Sequence, residues 1–81
     1  MKRVLVTGSS GCLGQALVAK LLVHPLIGRV AGLDTAPLTL SSEKFKACPG
    51  DIRDEFLLRS ILEEEQIDTI FHLAYLTNEP R

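Results

Sequence analysis

The sequence predicts an α/β domain built on a mainly parallel sheet with helices on both faces. Three features predict it. A glycine-rich turn, TGSSGCLG at residues 7–14, joins an apolar run to a helical stripe. The apolar runs are continuous rather than alternating, which is the pattern of strands buried on both faces. Runs and stripes follow one another in the order β-α-β-β-α-β, which layers helices over a sheet.

VLVTG, residues 4–8, is a short, β-branched run ending in glycine and reads as the first strand. Leu13, Leu17 and Leu21 recur every four residues with Val18 and Leu22 beside them, a helical stripe that Pro25 closes. RVAGLD at 29–34 is a second strand ending in a carboxylate, and residues 35–44 read as an irregular connection. FKACP at 45–49 is a weak third strand stopped by Pro49-Gly50. Asp54 is placed to cap a second helix whose apolar stripe is Leu57, Leu58, Ile61 and Leu62, and Gln66-Ile67-Asp68 breaks it. TIFHLA at 69–74 is the fourth strand, apolar almost throughout. Right-handed crossovers step from strand one to two to three and then return past strand one. The expected strand order is therefore 3-2-1-4, half of a doubly wound sheet, with its switch point beside the glycine turn.

Composition sets limits on function. A chain of 81 residues is at most one domain, and at this size only about 60% of the unfolded surface is buried. With 46% hydrophobic and 23% charged residues it lacks the signature of disorder. Net charge is −1 and the nine basic residues are scattered, which argues against a nucleic-acid footprint. No segment reaches the roughly 18 uninterrupted apolar residues of a membrane span, and the N-terminus lacks the features of a signal peptide, so the expected location is the cytoplasm. Cys12 and Cys48 fit no metal pattern and read as two reduced thiols. Glu63-Glu64-Glu65 reads as a solvated face.

The glycine turn carries the chemistry. A diphosphate at a helix N-terminus meets free N–H groups and the positive end of the dipole, provided no side chain keeps it away. Gly8 would make the turn, Gly11 would let phosphate approach the backbone, and Gly14 would let the helix pack closely on the strand. A P-loop fails, because no Gly-Lys-Ser/Thr follows. Asp34 stands twenty residues after Gly14 at a strand end, where a ribose-binding carboxylate belongs, or else it is a strand-end turn residue. As a ribose ligand it would repel a 2′-phosphate, and neither Thr35 nor Ala36 offsets it with a cation, so NAD is favoured over NADP. Cys12 near the helix start is either a reactive thiol or a small packing residue.

Four motifs in order, TGSSGCLG, the strand-end Asp34, GDIRD at 50–54 and HLAY at 72–75, resemble the first part of an extended short-chain dehydrogenase/reductase of the NAD-dependent epimerase/dehydratase family. The resemblance implies a partial Rossmann fold. It implies that Gly8, Ser10, Gly11, Cys12, Leu13 and Gly14 form the dinucleotide turn, with the amides around Gly11, Cys12 and Leu13 on the pyrophosphate. It places Asp34 on the adenosine ribose, Asp51 and Ile52 on adenine, and Leu73, Ala74 and Tyr75 along the path towards the nicotinamide ribose. Cys12-Leu13 and Tyr75 depart from the family's usual aromatic-isoleucine and alanine or glycine. His72 reads as a hydrogen-bonded core residue and His24 as a helix-end residue.

The family's chemistry is hydride transfer at a hydroxyl-bearing carbon of a nucleotide sugar or similar substrate, and it uses a Tyr-x-x-x-Lys pair. The only tyrosine is Tyr75, with Glu79 four residues on, so no catalytic residue is assigned. Residues 1–81 are thus expected to be the N-terminal portion of a larger dinucleotide-binding enzyme, inactive alone, with the remaining strands and the substrate-binding part absent. A non-catalytic NAD(P)-binding sensor or scaffold is the alternative. An apolar edge on the fourth strand leads to an expectation of self-association.

Overall fold

The computed structural model describes residues 1–36, 38, 40 and 42–73. Six elements follow in the expected order: β1 (Lys2–Thr7), α1 (Cys12–Leu22), β2 (Ile27–Asp34), β3 (Phe45–Pro49), α2 (Glu55–Glu64) and β4 (Thr69–His72). The strands form one sheet in the order β3-β2-β1-β4, and all three pairings are parallel. This is the topology the sequence predicts.

Alternate residues of the central strands serve two cores. Val4, Val6 and Val30 face α1, where they pack with Val18, Leu17, Leu21 and Leu22. Leu5, Ala31 and Leu33 face α2, where they meet Ile61, Leu57, Leu58 and Leu62. That two-sided burial is why β1 and β2 read as unbroken apolar runs.

Strand ends differ from the apolar runs because the hydrogen-bond ladder, not hydropathy, sets them. Lys2 pairs with Ile27 and its N–H donates to Leu26 O at 2.8 Å, so β1 and β2 each begin two residues before the runs at 4–8 and 29–34, and β2 gains the buried Ile27. At the other end β1 stops at Thr7, because Gly8 turns the chain with φ +75°. β4 ends at His72 and Ala74 lies outside the described residues.

Helix α2 starts as expected: Asp54 Oδ1 accepts from Leu57 N at 3.1 Å. It ends in a Schellman motif. Gln66 takes φ +52°, Gln66 N–H donates to Glu63 O at 3.3 Å and Ile67 N–H to Leu62 O at 3.0 Å. The glutamate run before this turn is not wholly solvated, contrary to expectation. Glu63 and Glu64 are exposed, but Glu65, four residues after the buried Ile61 and so on the same face of the helix, lies 3.0 Å from Arg29 Nε and 4.0 Å from Arg3 Nη2. Arg3 and Arg29 are register partners on β1 and β2, and like charges opposite one another are unfavourable. Glu65 sits between them and relieves that repulsion. Asp68 then anchors the chain to β1 through its N–H to Arg3 O at 2.9 Å, which sets the start of β4.

β4 is the sheet edge and is less buried than its apolar sequence implies: Ile70 is 50% and Phe71 37% exposed. His72 is exposed as well, so it is not a core residue, although Thr7 Oγ1 and His72 Nδ1 share a hydrogen bond of 2.8 Å. No helix among the described residues is long and apolar enough to cross a membrane.

The position of α1 depends on Gly14. A Cβ there would lie 2.1 Å from Gly8 O and 2.9 Å from Ser9 Cα. Alanine has a helix propensity advantage over glycine of about 1 kcal/mol. Overpacking costs typically about 1–3 kcal/mol, and here the obstacle is backbone that cannot rotate away. Gly14→Ala is therefore expected to lower the stability in urea by about 1–2 kcal/mol; an unchanged or more stable variant would contradict the close approach of α1 to the end of β1.

Candidate functional site

The parallel register brings the chemistry-bearing residues to one end of the sheet. Thr7 lies opposite Leu33 on one side and His72 on the other, and Asp34 lies opposite Pro49. The glycine turn leaves β1, Asp34 closes β2 and Gly50-Asp51 leaves β3, all at the C-terminal edge. Open parallel sheets bind their ligands at this edge.

At the turn, Gly11 N–H donates to Gly8 O at 3.2 Å, and Gly11 is the N-cap of α1 with an extended backbone. Having no side chain, it leaves the first-turn amides uncapped. Glycine at position 14 lets this helix start sit directly over Gly8 and Ser9. Ser9 is buried and its hydroxyl has no hydrogen-bond partner among the described residues. It packs under the turn, where a Cβ on Gly32 would come within 2.8 Å of its Oγ. Nothing in the sequence pattern singles out Ser9 or Gly32, since only the three-dimensional crossing brings them together.

Asp34 is joined directly to the turn. Its Oδ2 accepts from Ser10 N–H at 3.0 Å and its Oδ1 from Ala36 N–H at 3.1 Å, with Thr35 Oγ1 at 3.5 Å. Ser10 Oγ also donates to Ala36 O. Each carboxylate oxygen thus has one short amide donor, and an ionised carboxylate has lone pairs left for further donors. Asp34 is both a turn-forming residue and an acceptor facing the glycine turn.

Asp51 is held by Arg53, two residues on in the same GDIRD motif. Arg53 places its backbone N–H on Asp51 Oδ1 at 2.8 Å, its Nε on the same oxygen at 3.1 Å and its Nη2 on Oδ2 at 2.7 Å. The i, i+2 spacing in GDIRD was the available signal. Ile52 is half-buried against the α2-side core. Leu73 N–H donates to Thr7 O at 3.1 Å, which carries the chain from β4 past the end of β1. Ala74 and Tyr75 lie outside the described residues. Cys12 is exposed at the start of α1, while Cys48 is buried in the opposite core, where burial first and then Glu65 push its thiol pKa up.

Against known proteins, residues 4–81 match the model of the NAD dependent epimerase/dehydratase family. The chain belongs to that family. It is 32% identical to UDP-glucose 4-epimerase of Neisseria meningitidis serogroup B, over 94% of this chain and 25% of that relative. It is 36% identical to an uncharacterized membrane protein of Methanocaldococcus jannaschii, over 98% of this chain and 25% of that one. Uronate dehydrogenase from Agrobacterium tumefaciens superposes with a TM-score of 0.76 at 29% identity, covering 90% of this chain and 26% of that structure, and a mutant of it has been solved in complex with NAD. This family member thus spans about a quarter of the length of the relatives it matches.

The hydrogen bonds from Arg53 hold the Asp51 pKa down, from 3.8 to about 2. Folding therefore favours the ionised form: the stabilisation is present above pH 3.8 and is lost as pH falls through about 2. Asp51 is accordingly a full acceptor throughout the neutral range. In a carboxyl-carbon NMR titration, Asp51 is expected to titrate near 2 and to return towards 3.8 in Arg53→Met; an identical midpoint in the variant would show that the fork does not form in solution.

Proposed function

We propose that this chain is the NAD-binding portion of an NAD-dependent epimerase/dehydratase, with the rest of the dinucleotide-binding domain and the substrate-binding part lying beyond residue 81. The observation that carries this reading is the joining of the glycine turn to Asp34 through Ser10 N–H at 3.0 Å, one strand away from Asp51. The amides of Cys12 and Leu13 bind the pyrophosphate, where the uncapped helix start offers donors and a positive dipole end, whereas Gly11 N–H, expected from the resemblance to join them, instead closes the turn on Gly8 O at 3.2 Å. Asp34 accepts from the adenosine ribose hydroxyls. Asp51 accepts from the adenine amino group and Ile52 N–H donates to a ring nitrogen. Leu73, Ala74 and Tyr75 lead towards the nicotinamide half.

NAD supplies hydride exchange at a hydroxyl-bearing carbon. The substrate class is a nucleotide sugar or similar compound, in keeping with the relatives. Because residues 1–81 hold no Tyr-x-x-x-Lys, they bind without turning over. We place the protein in the cytoplasm, where its two free thiols are at home.

Calorimetric titration tests the cofactor. NAD is expected to bind more tightly than NADP. Asp34→Ala is expected to weaken NAD about tenfold or more, the loss of hydrogen bonds to a charged acceptor. Tighter binding of NADP to the parent chain would reject the assignment of Asp34.

The edge of β4, with Ile70 and Phe71 exposed, supports a second expectation for the isolated chain. Sedimentation should show association that grows with protein concentration, and a single monomeric boundary across a wide range would count against it.

A further inference from the structure

The turn that carries the proposed phosphate site is pinned from two sides at a single residue. In a trans peptide the C=O and N–H point in opposite directions, so fixing one fixes the other. Ser10 lies between two such planes. The plane before it is held through Ser10 N–H, which donates to Asp34 Oδ2 at 3.0 Å. The plane after it is held through Ser10 O, which accepts from Gln15 Nε2 at 2.7 Å. That second plane also carries Gly11 N–H, which donates to Gly8 O.

Gln15 does not act as an ordinary helix cap. In a capping box the N3 side chain reaches back and accepts from the N-cap amide. With Gly11 as N-cap, N3 is Gly14 and has no side chain, and Gln15 follows it. Its carboxamide is turned the other way: facing a carbonyl, it can only present its NH2. It braces the turn without occupying a helix amide. An anion-binding helix start needs this combination, a fixed backbone with its donors left free.

We propose that Gln15 is a positioning residue of the phosphate turn, and that it and Asp34 together preorganise the turn for a pyrophosphate. The proposal rests on the dinucleotide reading above. Asp34 accordingly acts twice, on the ribose and on the turn, whereas Gln15 acts on the turn alone.

Gln15 is exposed, so Gln15→Met preserves length and helix propensity while removing the donor. Titrations of the 81-residue chain followed by NMR should compare ADP, which carries the diphosphate, with adenosine, which does not. ADP affinity is expected to fall about fivefold, the net worth of a hydrogen bond, with adenosine affinity unchanged. Exchange of the Gly11 amide in the ligand-free protein should rise by about the same factor. Gln15→Ala should reproduce both effects. If the parent chain binds neither ADP nor NAD, the dinucleotide reading falls and this inference with it. If it binds them and Gln15→Met leaves ADP affinity unaltered, or weakens adenosine equally, only the role of Gln15 is overturned.

Discussion

The approach of α1 to the end of β1 is the constraint on which the rest of this structure depends. The third glycine of the turn touches the carbonyl of the first, and no larger residue fits between them. That contact fixes where the helix begins and puts its uncapped amides over the sheet edge. It also brings Ser10 within reach of Asp34 from the neighbouring strand. The left-handed backbone at Gly8 and the absent Cβ at Gly14 are two halves of one requirement, a strand that passes into a helix through the tight turn at residues 8–11.

The other end of the sheet is organised by charge instead of by close packing. Arg3 and Arg29 pair across β1 and β2, and the helix that must cross the sheet to reach β4 delivers Glu65 between them. Arg3 Nε also donates to the Glu65 carbonyl, so side chain and backbone hold the same corner. Partly exposed pairs of this kind contribute little stability singly, about 0.2–1 kcal/mol each. Their effect is on register: Asp68 bonds to Arg3 in both directions, and β4 can then lie beside β1 in only one alignment.

Much of this was legible in the sequence because the strands are buried on both faces and the glycines are regularly spaced. Strand order, the Asp54 cap and the end of α2 near Gln66 followed from short-range patterns, and the structure bears them out. What was not legible depends on contacts between distant residues. Glu65 differs from Glu63 and Glu64 by continuing the Leu58, Ile61 and Leu62 stripe onto the buried face of α2, but its partners are two arginines far away in sequence. The exposure of Ile70 and Phe71 could not be read from their hydropathy, since burial of an edge strand depends on what covers it. In the site, the three glycines and Asp34 were visible by spacing. The Gln15 and Arg53 contacts were not, because side-chain direction decides them.

The site also has to reconcile two carboxylates with an anionic ligand. Asp34 ends β2 and Asp51 lies just past the end of the adjacent β3, at the edge where a pyrophosphate is proposed to bind, and bare charges there would repel it. The chain treats them differently. Asp51 is matched by a full positive charge in the Arg53 fork, so it can offer acceptor lone pairs with little net field. Among the described residues Asp34 receives only neutral donors, the amides of Ser10 and Ala36 and the Thr35 hydroxyl. One carboxylate is thereby suited to recognising a neutral donor such as an exocyclic amine. In the proposed reading the other would also discriminate by repulsion, admitting hydroxyls while opposing a further phosphate beside them. The proposed preference for NAD over NADP thus rests on Asp34 having no cationic partner among the described residues, and not on the number of aspartates at the edge.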